Sequence, residues 1–197
     1  FNEFRSDKWN EYELAELAFQ SERIILDISG GWQDQYATIF GGINFIEFKN
    51  GDNLIHPLRL AEKTILNLEE SLVLYELNTG RNSGAIHDDQ KKVMQSREIK
   101  KKVEINVKHC LEMRESLLRG NLDTFGKGLN IAWELKRQFS SKISSTVIDE
   151  IYDYAIENGA LGGKLLGAGG GGFFLFYIKD FEKNHFMEAM RKKGLIE

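Results

Sequence analysis

The apolar residues near the start of the chain recur at the period of an α-helix. Those with this spacing are Leu14, Leu17, Ala18, Ile24, Ile25 and Ile28. They predict an amphipathic helix over residues 7–27, with Asp7 as its N-cap. Residues 32–40 are predicted as a short second helix, because glycine pairs at 30–31 and 41–42 bracket them.

Short apolar runs rich in aromatic and β-branched residues predict strands farther along the chain. The first three cover residues 43–48, 54–60 and 71–77. A turn at Asn50-Gly51-Asp52 joins the first two, which predicts an antiparallel hairpin. Because Pro57 has no backbone N–H to donate, we expect its strand to lie at a sheet edge or to carry a bulge.

The second half of the chain shows helical spacing interrupted by two more strand-like runs. The helices are predicted over residues 85–119, 121–139, 144–158 and 181–193, and the strands over residues 164–166 and 173–178. Ser144 or Ser145 is the predicted N-cap of the third of these helices. Helices that cover an antiparallel sheet form an α+β fold, which is the fold class we predict.

Composition and charge exclude several classes of protein. The chain has 197 residues, of which 42% are hydrophobic, so it can bury a sizeable core. Its 26 basic and 30 acidic residues give a net charge of −4, which argues against a nucleic-acid partner. No apolar run approaches the roughly 20 residues of a membrane span, so no membrane partner is expected.

The single cysteine excludes two kinds of site, and the start of the sequence bears on the location and on whether the chain is a fragment. Cys110 is the one cysteine in the sequence, which excludes a disulfide framework and a cysteine-based zinc site. No signal peptide is recognisable, so we expect a cytoplasmic location. The sequence opens on Phe1 rather than on Met, and we expect it to be a fragment of a longer protein.

The glycine-rich segment Gly167-Ala168-Gly169-Gly170-Gly171-Gly172 satisfies the G-x-G-x-x-G pattern of dinucleotide-binding proteins. That pattern requires a helix after the glycines, whereas residues 173–178 predict a buried strand. No Lys-Ser or Lys-Thr follows, which excludes a Walker A loop. Two interpretations stay open. One is a turn whose backbone N–H groups bind an anion, and the other is a tight connection in which glycine avoids clashes.

Asp34 lies in the first turn of the predicted helix over residues 32–40. The dipole and the free N–H groups of a helix N-terminus favour an ionised carboxylate there. Such a carboxylate suits a base that accepts a hydroxyl proton, and it equally suits a capping residue. The aromatic neighbours Trp32 and Tyr36 fit a binding site or a core.

Two segments together resemble the motifs of GHMP-type small-molecule kinases. One is Gly30-Gly31-Trp32-Gln33-Asp34-Gln35-Tyr36 with the residues up to 48, and the other is Lys164-Leu165-Leu166 with the glycines that follow. Within the family, the sequence is most similar to the sugar-phosphate branch, the D-glycero-D-manno-heptose 7-phosphate kinases. The resemblance covers essentially the whole chain.

The resemblance implies a kinase that transfers the γ-phosphoryl group of ATP to a hydroxyl group of a sugar or sugar phosphate. Asp34 matches the catalytic aspartate of the family. The residues that match the ATP-binding glycine loop are Gly167, Ala168, Gly169, Gly170, Gly171 and Gly172. The resemblance assigns substrate binding to Gly30, Gly31, Gln35, Tyr36, Thr79, Gly80 and Arg81.

The resemblance also implies two domains. Residues 1–50 match the end of an N-terminal domain, and residues 51–197 match a ferredoxin-like C-terminal domain. The glycine- and serine-rich ATP motif of the family is absent, so the main nucleotide loop and the Mg²⁺ ligands are expected upstream of residue 1. We therefore expect the chain by itself to be inactive.

Weaker features leave alternatives open. Arg81 follows Gly80 directly, whereas the family has extra spacing, and Ser83 as a helix cap explains this segment equally well. His87, Asp88 and Asp89 lack further ligands, so no metal site is predicted there. A basic run is predicted to be a solvated helix face: Lys91, Lys92, Arg97, Lys100, Lys101 and Lys102.

Two other functions remain compatible with these residues. One is a sibling kinase for galactose, fucose or another sugar, because the acceptor contacts are spread over segments that the sequence lacks. The other is a non-catalytic binding module that kept the fold. The oligomeric state is not indicated by any pattern in the sequence.

Overall fold

The computed structural model describes residues 4, 6, 8–49, 52–77, 86, 89 and 96–195 of the chain. The chain divides into two units, Phe1–Arg59 and Leu60–Glu197. The predicted domain boundary at residue 50 stays a prediction. Each unit is described by itself below.

Helix α1 (Glu11–Gln20) continues into one π-helical turn, Ser21–Ile25. Asn10 is its N-cap. The Asn10 side chain accepts a hydrogen bond from the Glu13 N–H at 3.0 Å, and the Glu13 carboxylate accepts one from the Asn10 N–H at 2.8 Å. Asp7, the predicted N-cap, lies outside the described residues, and the reciprocal capping box at Asn10 fixes the first turn at Glu11.

Helix α2 (Gln33–Phe40) ends at Gly41, whose φ of 58° is readily adopted only by glycine. Strands β1 (Asn44–Lys49) and β2 (Asp52–Pro57) then form a two-stranded antiparallel hairpin. The predicted second helix and the hairpin are thereby confirmed. Each strand of a two-stranded sheet is an edge strand, as the proline in β2 predicted.

Aromatic side chains form the core of the first unit. The Tyr36 ring is 1% exposed and packs against Tyr12 and Phe40, with ring centroids 6.2 and 6.1 Å apart. Trp32 stacks on Phe19 with a centroid distance of 3.4 Å. Because these rings join α1 to both ends of α2, they fix the short helix that carries Asp34.

Helix α3 (Glu62–Ser71) was not predicted. Its N-cap residue, Ala61, makes no side-chain capping hydrogen bond, and Leu66 on its surface is 53% exposed. The sequence therefore lacks both the capping residue and the clean apolar stripe by which a helix is recognised.

The second unit is built on a three-stranded antiparallel sheet with the order β3-β5-β4. Its strands are β3 (Leu72–Leu77), β4 (Ala160–Leu165) and β5 (Gly172–Ile178). Leu77 pairs with Gly172, and Leu165 pairs with Phe174. The end of β4 and the start of β5 thus place the glycine-rich segment at one end of the sheet.

The further helices of the second unit whose bounds lie within the described residues are α4 (Arg97–Leu118), α5 (Leu122–Lys136), α6 (Thr146–Glu157) and α7 (Asp180–Lys192). Ser145 caps α6, as one of the two predicted candidates. Ser96 caps α4 from an extended backbone conformation, with φ of −70° and ψ of 141°. Of the helical stretch predicted over residues 85–119, which the sequence allowed to be one long helix or a kinked and shorter one, the second half is the helix α4, and the extended Ser96 interrupts the stretch.

Strand β4 starts four residues earlier than predicted. A Cβ atom on Gly162 would lie 2.2 Å from the Gly126 carbonyl oxygen, so the backbone of α5 packs directly on this strand. Glycine ordinarily weakens a strand, which is why the sequence did not indicate one here. The core of the unit contains Trp133, Ile143, Leu165, Phe174, Phe176, Ile178, Phe186 and Met190. No helix among the described residues has the length and apolar character to cross a membrane.

Candidate active site

Asp34 occupies the first turn of α2, two residues after the N-cap Trp32, and its side chain is exposed. The first N–H groups of a helix have no partner within it and carry a partial positive charge. The structure therefore presents Asp34 as an accessible carboxyl group at such a helix end, on a short helix whose other face is fixed in an aromatic core.

The Arg23 side chain holds the loop that leads to Asp34. Its Nε and Nη2 atoms donate to the Gly31 carbonyl oxygen at 3.2 and 3.1 Å, and Nη1 donates to the Ile28 carbonyl oxygen at 3.3 Å. A Cβ atom on Gly30 would lie 2.4 Å from Arg23 Cζ, so glycine is needed for this approach. Sequence reasoning missed Arg23, because no local pattern shows that it folds back on residues 28–31.

Glu22 links Arg23 to Gln35. One carboxylate oxygen lies 3.0 Å from Arg23 Nη1, and the other accepts a hydrogen bond from Gln35 Nε2. Gln35 is 5% exposed, and its buried side-chain oxygen has no partner among the described residues. The substrate-binding role assigned to Gln35 and to the glycines at 30–31 stays a prediction.

Tyr36 has both of its polar partners within the first unit. Its hydroxyl donates to Glu16 Oε1 at 2.6 Å and accepts from Asn53 Nδ2 at 3.1 Å. Burial, together with the hydrogen bond to Glu16, raises the pKa of Tyr36 above its ordinary value. These contacts give Tyr36 the core position that the sequence left open, and its proposed contact with substrate stays a prediction.

In the second unit, the glycine loop (residues 167–172) adopts a backbone that few other residues tolerate. Every glycine in it has positive φ: 67° at 167, 117° at 169, 71° at 170, 149° at 171 and 98° at 172. Ala168 is the one residue of the loop that is not glycine, and its φ is not positive. The backbone conformation of the loop therefore favours glycine at these positions. Both interpretations that the sequence left open, an anion-binding turn and a tight connection, are compatible with this.

The loop is anchored in the middle and at its base. The Gly170 N–H donates to the Ile143 carbonyl oxygen at 2.8 Å, and a Cβ atom on Gly169 would lie 2.9 Å from Ile143 Cα. At the base, the Leu166 N–H donates to the Phe173 carbonyl oxygen at 2.8 Å. The loop is therefore a packed turn between β4 and β5.

Lys136, the last residue of α5, reaches the first residues of the same loop. Its ammonium donates to the Leu165 carbonyl oxygen at 2.7 Å and to the Gly167 carbonyl oxygen at 2.6 Å. Burial and the nearby charge of Lys164 lower the pKa of Lys136 to about 7. Burial also lowers the pKa of Lys164. Lys136 was not singled out from the sequence, because it reads locally as an ordinary polar position. Lys164 was named only as the first residue of the kinase-like motif and was given no role.

The two ends of the chain match the models of one kinase family. Residues 1–42 match the GHMP kinases N terminal domain, and residues 113–195 match the model described as GHMP kinases C terminal. The chain belongs to the GHMP kinase family. The resemblance inferred from the sequence motifs and the predicted α+β fold class are confirmed.

Individual GHMP kinases show how much of such a protein this chain represents. D-glycero-alpha-D-manno-heptose 7-phosphate kinase of Campylobacter jejuni is 36% identical over 194 residues, which are 98% of this chain and 57% of that protein. The L-fucokinase/L-fucose-1-P guanylyltransferase of Bacteroides fragilis is 27% identical over 187 residues, which are 91% of this chain and 19% of that protein.

A comparison with a solved structure also shows that this chain corresponds to about half of a related kinase. The crystal structure of a D-glycero-D-manno-heptose 1-phosphate kinase from Bacteroides thetaiotaomicron matches with a TM-score of 0.69 and 28% identity, over 95% of this chain and 51% of that one. This GHMP kinase chain thus spans about half the length of the two heptose phosphate kinases.

Several residues that the sequence singled out lie outside the described residues. These are Asp7, Thr79, Gly80, Arg81, Ser83, His87, Asp88, Lys91 and Lys92. Asp89 is described, and its carboxylate accepts a hydrogen bond from the Ser140 hydroxyl. Within the described part of the chain, no three His, Cys, Asp or Glu side chains group closely enough to hold a metal ion.

Proposed function

We propose that the protein containing this chain transfers the γ-phosphoryl group of ATP to a hydroxyl group of a sugar phosphate, with D-glycero-D-manno-heptose 7-phosphate as the acceptor. The observation that carries the proposal is the exposed Asp34 at the start of α2 in a chain of this family. The 36% identity to a heptose 7-phosphate kinase supports the choice of acceptor.

In the proposed reaction, Asp34 orients the acceptor hydroxyl and receives its proton. The hydroxyl oxygen forms a bond to the γ-phosphorus, and the bond from that phosphorus to the bridging oxygen of ADP breaks. Phosphoryl transfer depends mainly on positioning and on stabilisation of charge. The Arg23 contacts with the Gly31 and Ile28 carbonyls support a fixed approach to Asp34.

The glycine loop contributes backbone N–H groups to the phosphates of ATP, other than the Gly170 N–H, which donates to the Ile143 carbonyl oxygen. Its positive φ values support this role, since successive N–H groups in such a turn form a concave site for an anion. Fixed N–H dipoles stabilise phosphate charge without rearrangement during the reaction.

Mg²⁺ is the metal expected to accompany ATP in such a reaction. The part of the chain that the structure describes contains no group of three or more His, Cys, Asp or Glu side chains placed to hold a metal ion. No step through the metal is therefore assigned to this chain.

The fucokinase homology favours fucose as a second candidate acceptor, because the Bacteroides fragilis enzyme aligns over 91% of this chain. Its identity of 27% is lower than that of the heptose 7-phosphate kinase. Transfer assays with heptose 7-phosphate, heptose 1-phosphate, fucose and galactose would separate these acceptors.

The deciding experiment compares Asp34→Asn with the wild type in the complete protein. We expect ATP binding to be retained and kcat to fall at least about a hundredfold, because the proton acceptor is lost. Glu11→Gln is the matched control, since Glu11 is also an exposed acid in the first turn of a helix in the same unit. Equal turnover of the two variants would contradict the role of Asp34, and absence of transfer by the wild type to every acceptor would favour a binding module.

A further inference from the structure

Lys136 bridges two carbonyl groups on either side of Leu166. The Nζ atom lies 2.7 Å from the Leu165 oxygen and 2.6 Å from the Gly167 oxygen. Both distances are those of charge-assisted hydrogen bonds. The donor is the last residue of α5, so a rigid helix end is joined to the first peptide groups of the glycine loop.

These two bonds determine where the neighbouring N–H groups point. The described peptides are planar and none is cis, so each carbonyl and the N–H of the next residue point in opposite directions. The Leu165 carbonyl faces Lys136, and the Leu166 N–H accordingly faces away and donates to the Phe173 oxygen at 2.8 Å. By the same geometry, the Ala168 N–H faces away from Lys136.

We propose that Lys136 is a positioning residue that fixes the Gly167–Ala168 peptide so that the Ala168 N–H faces a phosphate oxygen of the nucleotide. The inference rests on the proposed function of the loop in binding ATP. Without the lysine, glycine on one side leaves this peptide free to rotate, and a rotated carbonyl would repel the phosphate.

The two carbonyl groups are the partners that the structure gives the Lys136 ammonium. The lysine makes no ion pair among the described residues, so the two carbonyl oxygens are its partners there. Burial and the nearby charge of Lys164 lower the pKa of Lys136 to about 7, because removal from water disfavours the ammonium.

The test uses Lys136→Met, which keeps an unbranched stem of four atoms and removes the ammonium that donates. Amide hydrogen exchange, measured by mass spectrometry on fragments spanning residues 165–172, reports the loop directly and requires no nucleotide. We expect exchange in these fragments to become at least about tenfold faster and the KM for ATP to rise about tenfold, with a smaller effect on kcat. Lys127→Met is the matched control, because Lys127 is exposed on the same helix.

The outcomes separate the inference from the proposed function. Exchange in Lys136→Met equal to that in Lys127→Met would overturn the inference. Faster exchange with an unchanged KM for ATP would support the anchoring of the loop and overturn its assigned contact with phosphate. An inactive wild type would count against the proposed function, while the exchange measurement would still decide the anchoring. Should Lys136→Met fail to fold, Lys136→Gln, which is too short to reach both carbonyls, replaces it.

Discussion

The guanidinium of Arg23 lies so close to the backbone of Gly30 that a Cβ atom there would be 2.4 Å from Arg23 Cζ. This approach lets Arg23 donate three hydrogen bonds to the carbonyls of Ile28 and Gly31, just before the helix that carries Asp34. The contact joins the end of one helical segment to the start of the next.

Gly30→Ala is therefore expected to displace Arg23. The side chain is flexible and can move away, but it then loses its carbonyl acceptors, at a cost of about 1–2 kcal/mol in the free energy of unfolding. Urea unfolding measured on the complete protein checks this result. Gly31→Ala is the control, because a Cβ there meets nothing within 4 Å. Equal stability of the two variants would show that the Arg23 contacts contribute nothing.

Gly169→Ala is expected to destabilise the second unit more than an ordinary glycine substitution. At Gly169 the φ of 117° disfavours any side chain, and a Cβ would also lie 2.9 Å from Ile143 Cα, which is backbone and cannot move aside freely. We expect a loss of about 2–4 kcal/mol, from backbone strain and the clash together.

Gly194→Ala separates the two causes of that loss. Gly194 also has positive φ, 86°, but a Cβ there meets nothing within 4 Å. The difference in unfolding free energy between the two variants measures the contact with Ile143. If Gly194→Ala is as destabilising as Gly169→Ala, the packing of the loop against Ile143 is not the reason for its glycines.

The stability of the protein is expected to rise between pH 7 and pH 9. The folded-state pKa of Lys136 is lowered from 10.5 to about 7, so over this range the unfolded chain binds more protons than the folded one. Unfolding then becomes less favourable as the pH rises, by at most about 1.4 kcal/mol per pH unit for one lysine. The lowered pKa of Lys164 acts in the same direction.

Urea unfolding of the wild type and of Lys136→Met across this pH range provides the measurement. The variant should show a smaller slope, while Lys127→Met should keep the slope of the wild type. Identical slopes for all three proteins would mean that Lys136 titrates in the folded protein as it does in the unfolded chain.

The local sequence pattern was sufficient to predict a helix or strand when the residues that determine it lie within the element or next to it. Helix α2 is bracketed by glycines, strand β1 of the hairpin is rich in aromatic and β-branched residues, and β5 is a continuous run of apolar residues. Local pattern also gave Asp34 its place in a first helical turn and the glycine loop its place between two strands. The motifs in these two segments were enough to indicate the family.

The tertiary structure decided what depends on residues far apart in the chain. Helix α3 has no capping side chain, and β4 contains glycines that read as a break until the backbone of α5 packs against them. Arg23 meets a carbonyl eight residues away, and Lys136 meets carbonyls 29 and 31 residues away. The sequence by itself determined the elements, the family and the candidate chemical groups. Only the tertiary structure determined which side chains hold those groups in place, because a hydrogen bond between distant residues exists only after the intervening helices and strands have packed.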